Sequence, residues 1–409
     1  MMKNIPIKIS IFINYFVFAI LLNSVGIVIQ KSINVFKTNE LQASNLELAK
    51  DLSILIVSFL VGSFLPRLGY KRGMLAGLAL VFGGCLLMYF GNSFNTALLL
   101  FGIVGVAFAL IKLSVYSMIG LLTDSPKAHN SLMSSIEGFF MLGIALAYFL
   151  FPAFYSETDP NAWLRVYLVI AGMVAVSFVF LLLAKFDESQ IQTSGQSLKE
   201  DFLGMLKLTS LPMVLVFIVC AFLFVMTEQG IMSWLPNFNE KILKLPETVS
   251  VQMAAILAIS LAIGRVLAGQ LTKRFSWLSI LSVCLVVSMF IVVAVLPKTT
   301  SVAASNIQSF TDIPLIAFVF PLIGLFIAPI YPLINSVVLS ALPKNKHSAM
   351  TGLLTVFSAL GGTIGSRIIG WLFMTTGGAS AFYFTLIPMG LLLIALFGLN
   401  RLTTKPNLA

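Results

Sequence analysis

The chain has 409 residues, of which 59% are hydrophobic and only 10% charged, well under the charged share of an average soluble domain; its mean hydropathy is +1.02. These values exclude a soluble globular enzyme and imply a polytopic membrane protein. The net charge of +10 does not call for nucleic acid, because the basic residues sort between the loops in the way that sets membrane orientation.

A hydrocarbon core about 30 Å thick needs roughly 20 apolar residues per helix. On that rule twelve spans are predicted: 8–30, 47–66, 73–91, 95–122, 130–154, 164–184, 211–235, 247–272, 276–296, 312–340, 347–374 and 379–400. The first run lacks a small-residue cleavage site and is long enough to span, so it reads as a helix and not a signal peptide. Cys85, Cys220 and Cys284 fall inside apolar runs and read as small buried residues, with no disulfide set or metal site. The longest polar connection, 185–210, falls midway. The expected fold is therefore all-α: two pseudo-symmetric six-helix bundles, 1–184 and 211–409, joined by a cytoplasmic linker, 185–210.

With the N-terminus placed in the cytoplasm, fifteen lysines and arginines fall on the inner side and six on the outer. The remaining four, Lys50, Lys112, Arg265 and Arg367, lie within spans. Both termini are accordingly expected in the cytoplasm, with the protein in the inner membrane of a bacterium. The lipid bilayer is its expected environment, a small solute and a proton or other coupling ion its expected partners, and a monomer its expected state.

The two halves repeat. The turn after span 2 reads Gly62-Ser-Phe-Leu-Pro-Arg67-Leu-Gly69-Tyr-Lys71-Arg72, and the turn after span 8 reads Gly269-Gln-Leu-Thr-Lys-Arg274. Gly62 and Arg67 match Gly269 and Arg274 at the same spacing. His129 and His347 sit at equivalent starts of spans 5 and 11. Such halves are the signature of a transporter with its site near mid-membrane. The glycines also serve close helix approach, and the basic residues also mark the inner face.

The spans carry few charges, and each one costs insertion energy, which makes it a functional candidate. Lys112 in span 4 and Glu137 in span 5 lie about 16 Å and 12 Å from the inner end at 1.5 Å per residue. They are expected to meet, either as a gated pair beside a solute cavity or as a static ion pair. Glu228 in span 7 is followed by Gln229 and, near the outer mouth, by Trp234, Asn237 and Asn239. A carboxylate, an amide and an indole suit a hydroxylated solute, while Trp234 alone also fits an interfacial belt. Glu47, Lys50 and Asp51 read as a solvated start of span 2. Arg265 in span 8 is placed to bind an anionic solute or pair with a carboxylate across the halves, or to snorkel to the inner face. Tyr331 and Asn335, four apart in the proline-rich span 10, share a face, and Asn23 is a buried amide in span 1. Gly352, Gly361, Gly362 and Gly365 make span 11 a close-packing surface. No Gly-rich phosphate loop is present; neither enzyme chemistry nor a cofactor is expected.

The Gly62–Arg72 turn resembles the signature turn of the major facilitator superfamily. Pro66 stands where that family usually has an acidic residue. Within the superfamily, span 1 (Leu21-Leu-Asn-Ser-Val-Gly26), the span 4–5 pair and Glu228-Gln-Gly-Ile-Met-Ser-Trp-Leu-Pro236 resemble the fucose permease-like sugar:proton symporters. That family carries carboxylates in spans 1 and 4; the matching neighbourhoods here hold Asn23 and Lys112, and Glu137 stands where a glutamine is usual. The resemblance implies a secondary active transporter that moves a small polar solute, a sugar first, with a proton by alternating access. Export of drug-like or amphipathic compounds and transport of a small organic anion are the alternatives.

Overall fold

The structure is a computed structural model describing residues 5–122, 126–184, 203, 206–272, 274–299, 313, 315–342 and 347–404. Among these residues there are helices and turns and no strand. The chain divides into two compact units. Unit 1 comprises Met1–Thr38 and Asn45–Leu198, and unit 2 comprises Asn39–Ser44 and Lys199–Ala409.

In unit 1, α1 (Ile5–Asn23) and α2 (Val25–Asn34) fill the first span, α4 (Asn45–Leu68) the second, and α5 (Tyr70–Gly91) the third. Next come α6 (Phe94–Leu122), α7 (Pro126–Leu150) and α8 (Val166–Leu183). Unit 2 takes the four-residue helix α3 (Glu40–Ala43), then α9 (Pro212–Lys241), α10 (Glu247–Leu271) and α11 (Trp277–Thr299). The tenth span is α12 (Leu315–Val319), a 3₁₀ turn, α13 (Ile323–Ile327) and α14 (Ile330–Ala341). It is followed by α15 (His347–Thr376), the short α16 (Gly378–Ala381) and α17 (Leu386–Thr404). Eleven helical stretches among the described residues are long and apolar enough to cross a bilayer. α4, a helix of 24 residues, occupies the second expected span.

The units pack by one plan. In unit 1 the first span packs on the fifth, the second on the fourth, and the third on the sixth; in unit 2 the seventh packs on the eleventh, the eighth on the tenth, and the ninth on the twelfth. The closest approaches repeat too. A Cβ on Gly143 of α7 would lie 2.6 Å from the Phe16 carbonyl of α1, and one on Gly361 of α15 would lie 2.3 Å from the Phe222 carbonyl of α9. A Cβ on Gly105 of α6 would lie 2.3 Å from the Lys50 carbonyl of α4, and one on Gly324 of α13 would lie 2.8 Å from the Leu257 carbonyl of α10. Only a residue without a side chain lets backbones come this near, and van der Waals packing of that kind is what joins helices in lipid. The loops after the first and seventh spans also match: Lys37 and Lys244 both take positive φ, 57° and 55°.

Three elements differ from the predicted spans. Span 1 is two helices, because at its middle Asn23 Nδ2 donates to the Ala19 carbonyl (2.9 Å) and Ser24 Oγ to the Leu21 carbonyl (2.8 Å); such local bonds compete with the helical ladder. Span 7 runs on to Lys241, carrying Pro236 inside it. Span 10 breaks where Pro321 and Pro329 withhold backbone N–H groups.

Candidate functional site

Lys112 and Glu137 lie on α6 and α7 in unit 1, but they are not joined directly. Glu137 Oε1 accepts a hydrogen bond from Tyr116 Oη at 3.0 Å. No ion pair within 4.0 Å involves Lys112 among the described residues. Instead its ammonium lies 5.6 Å from the ring centroid of Phe108 and 5.8 Å from that of Tyr116. These residues stand one turn to either side of it on α6, so helical spacing puts all three on one face. Tyr116 is the shared element: its hydroxyl holds the carboxylate and its ring faces the ammonium. The two charges, expected to pair with each other, are instead separated by a tyrosine. The i+4 spacing from Lys112 to Tyr116 was the available signal.

Around this pair α1, α6 and α7 build an aromatic wall. Tyr15 stacks on Tyr116 (6.4 Å between centroids) and meets Phe140 edge-on at 6.0 Å. Phe108 lies near Phe18 and Phe140, and Phe12 meets Phe139 at 4.8 Å. Asn23, higher on α1, spends its amide on its own helix.

In unit 2, Glu228 of α9 and Arg265 of α10 approach at 3.5 Å, with side chains 15% and 35% exposed. Arg265 thus meets a carboxylate of its own unit, where a pairing across the halves was one of the expectations. Both charges act electrostatically on Tyr331, and Ser358 and Asn335 lie near it, although Ser358 Oγ and Asn335 Oδ1 make no hydrogen bond among the described residues. Tyr331 packs on Phe224 at 5.6 Å, and Gln229 is half-buried beside Glu228. Glu228, Arg265, Tyr331 and Asn335 therefore form one polar cluster inside the bundle. Trp234 is not part of it, nor does it face a lipid interface. Its ring is fully buried, stacks on Phe373 at 5.3 Å, and donates its N–H to the Ser366 carbonyl at 2.9 Å. It is a wedge between α9 and α15.

The signature turn is partly described. Gly62 and Arg67 lie on α4, with side chains outside the described residues. Gly69 precedes α5 at φ 93°, a conformation that needs a glycine. Lys71 Nζ donates to the carbonyls of Leu182 (3.0 Å) and Ala184 (2.6 Å), where a helix end leaves carbonyls free and favours a cation. It thereby ties the start of α5 to the end of α8. In the second half Gly269 and Arg274 are both exposed, and a Cβ at Gly269 would touch nothing.

Two further polar groups are buried within unit 1. Glu47, Lys50 and Asp51 are not solvated: their side chains are 0%, 4% and 9% exposed. Lys50 Nζ bonds Glu47 Oε1 and lies 3.4 Å from Asp51 Oδ1. The three satisfy one another on one turn of α4, which lets them be buried. A second buried network links Ser10 and Asn14 of α1 to Ser177 of α8. There Ser177 Oγ donates to Asn14 Oδ1 (3.1 Å) and Ser10 Oγ to the Ser177 carbonyl (3.0 Å).

The profile of the Major Facilitator Superfamily matches residues 9–307. No curated protein matches the chain in sequence. Among solved structures, the Escherichia coli fucose:proton symporter superposes with a TM-score of 0.64 at 16% identity, covering 98% of this chain and 100% of that one. A D-xylose-proton symporter gives 0.75 at 12% identity, covering 97% of each. The nucleoside transporter NupG gives 0.73 at 14% identity, covering 99% of this chain and all of that one. At such identities the likeness is one of fold. With the family profile spanning most of the sequence and eleven apolar helices fit to cross a bilayer, the chain is an integral multi-pass membrane protein belonging to the Major Facilitator Superfamily of transporters.

Proposed function

We propose that this transporter carries a small polar solute of the sugar class together with a proton, by alternating access. Both termini would lie in the cytoplasm of a bacterial cell, an orientation supported by the excess of basic residues in the loops on that side. The observation that carries the reading is the Tyr116–Glu137 hydrogen bond inside an apolar, aromatic bundle. A carboxylate at this depth has few structural reasons to be there, and Glu137 remains half-exposed within the unit. It would take a proton from one side; the change of access would then open the loaded site to the other side, where Glu137 gives the proton up. Tyr116 holds the carboxylate in one rotamer while it is charged. In unit 2, the Glu228–Arg265 contact at 3.5 Å and the neighbouring Tyr331 and Asn335 supply hydrogen-bonding groups that match hydroxyls. The sugar class draws on the fucose and xylose symporters that share the fold.

Glu137→Gln mimics the protonated acid, so it tests the coupling. In proteoliposomes the variant is expected to lose accumulation driven by a pH gradient while keeping solute exchange at equal pH. Unchanged gradient-driven accumulation would remove Glu137 from the coupling path.

A further inference from the structure

We infer that Lys112 is the anchor for an anionic group on the solute, so that the solute is a hydroxylated monocarboxylate, a sugar acid, and not a neutral sugar. This inference rests on the transport reading above and specifies the solute class of the same site. Lys112 is half-buried on α6, facing two aromatic rings. An ammonium has three hydrogens to donate, and ring faces attract its charge without accepting those hydrogens as a carboxylate oxygen would. The carboxylate near enough to act on it is Glu137, and Glu137 is engaged by Tyr116. This face of α6 thus presents a cation whose neighbouring acid is held by Tyr116, beside ring faces fit to stack on a carbon frame.

Charge accounting points the same way. With the site empty, Lys112 and Glu137 sum to zero. A neutral sugar arriving with a proton on Glu137 would leave one uncompensated positive charge among apolar rings. A monoanion arriving with that proton restores zero, since its carboxylate offsets Lys112 while Glu137 is neutral. The solute's charge is what allows the proton to be carried at no electrostatic penalty in a poorly solvated site. Among the described residues, the titratable groups facing Glu137 are Lys112, Tyr116 and Tyr15, and none of these supplies the missing negative charge when the tyrosines stay neutral.

The test uses the purified full chain in proteoliposomes with matched probes that differ only at one carbon: D-glucose against D-glucuronate, and D-galactose against D-galacturonate. Empty liposomes correct for leakage. Under an inward proton gradient the acid is expected to accumulate at least tenfold over its neutral partner, and an imposed potassium diffusion potential is expected to leave its uptake unchanged. Lys112→Gln is expected to cut acid uptake at least tenfold, and Lys112→Arg to restore part of it; thermal unfolding of both variants establishes that they fold. Accumulation of the neutral sugars with no uptake of the acids overturns this inference and leaves sugar transport standing. No accumulation of either class overturns both. Acid uptake that is driven by the diffusion potential, or is insensitive to Lys112→Gln, refutes the role given to Lys112.

Discussion

The packing of α9 on α15 can be tested at a single atom. A Cβ placed on Gly365 would lie 2.2 Å from the Met226 carbonyl oxygen, where ordinary contact begins at 3.4 Å. The helices would have to part by about 1.2 Å, the difference between those two distances. The obstructing atom is backbone within a helix, so no rotamer change relieves it. Overpacking of this kind costs about 1–3 kcal/mol, set against a helix-propensity gain of about 1 kcal/mol for replacing glycine by alanine. Gly365→Ala is therefore expected to destabilise the protein by a net of up to about 2 kcal/mol. Gly390→Ala on α17, where a Cβ would meet nothing within 4 Å, is the control, and is expected to be neutral or stabilising. Buried Cys220 on α9 makes a thiol-reactive dye a direct reporter of unfolding in detergent. If Gly365→Ala melts at or above the wild-type temperature, in step with Gly390→Ala, the close approach described between α9 and α15 is wrong.

Two further outcomes follow from the buried charges. Lys50→Met is expected to cost about 3–5 kcal/mol, the range for breaking a buried ion pair from one side, because it removes the ammonium shared by Glu47 and Asp51; a melting temperature equal to that of wild type would return the three to solvent. The second concerns Glu40 of α3, which lies outside the spans and pairs with Lys241 at 2.6 Å. Burial works against its ionisation, but the hydrogen bond from Lys241, its backbone hydrogen bond and the nearby positive charge outweigh burial, so its carboxyl sits below the usual range. A lowered value means that the pair contributes fully above the unfolded carboxylate range and is lost as pH falls through the folded value. Its worth is expected to stay under about 1 kcal/mol, because both side chains keep contact with solvent. Lys241→Met should flatten the fall in melting temperature between about pH 5 and pH 3; an unaltered slope would show that the pair contributes nothing.

What the sequence made legible follows from the physics of each feature. Hydropathy marks the spans because each must bury about 20 consecutive residues in lipid, and the glycines of span 11 mark a close-packing surface, whose partner, span 7, only the structure supplies. The break at Asn23–Ser24 escaped because it comes from side-chain bonds to the helix's own carbonyls, which leave no trace in an apolar average. The Glu47–Lys50–Asp51 triad was misplaced for a related reason. Charges at a helix start are ordinarily solvated, and only the tertiary structure shows that these are enclosed. Trp234 had the composition of a site residue, yet its indole N–H is spent on Ser366. Lys112 and Glu137 were recognisable as the charges out of place; that Tyr116 stands between them depends on side-chain direction, which spacing alone does not fix.

The central claim is that solute and proton cross together through Glu137, and proton flux reads it directly. In weakly buffered proteoliposomes holding a pH-sensitive dye, addition of transported solute is expected to acidify the interior for the wild-type protein and leave it unchanged for Glu137→Gln. Solute uptake with no accompanying acidification, or equal acidification in the variant, would contradict the account.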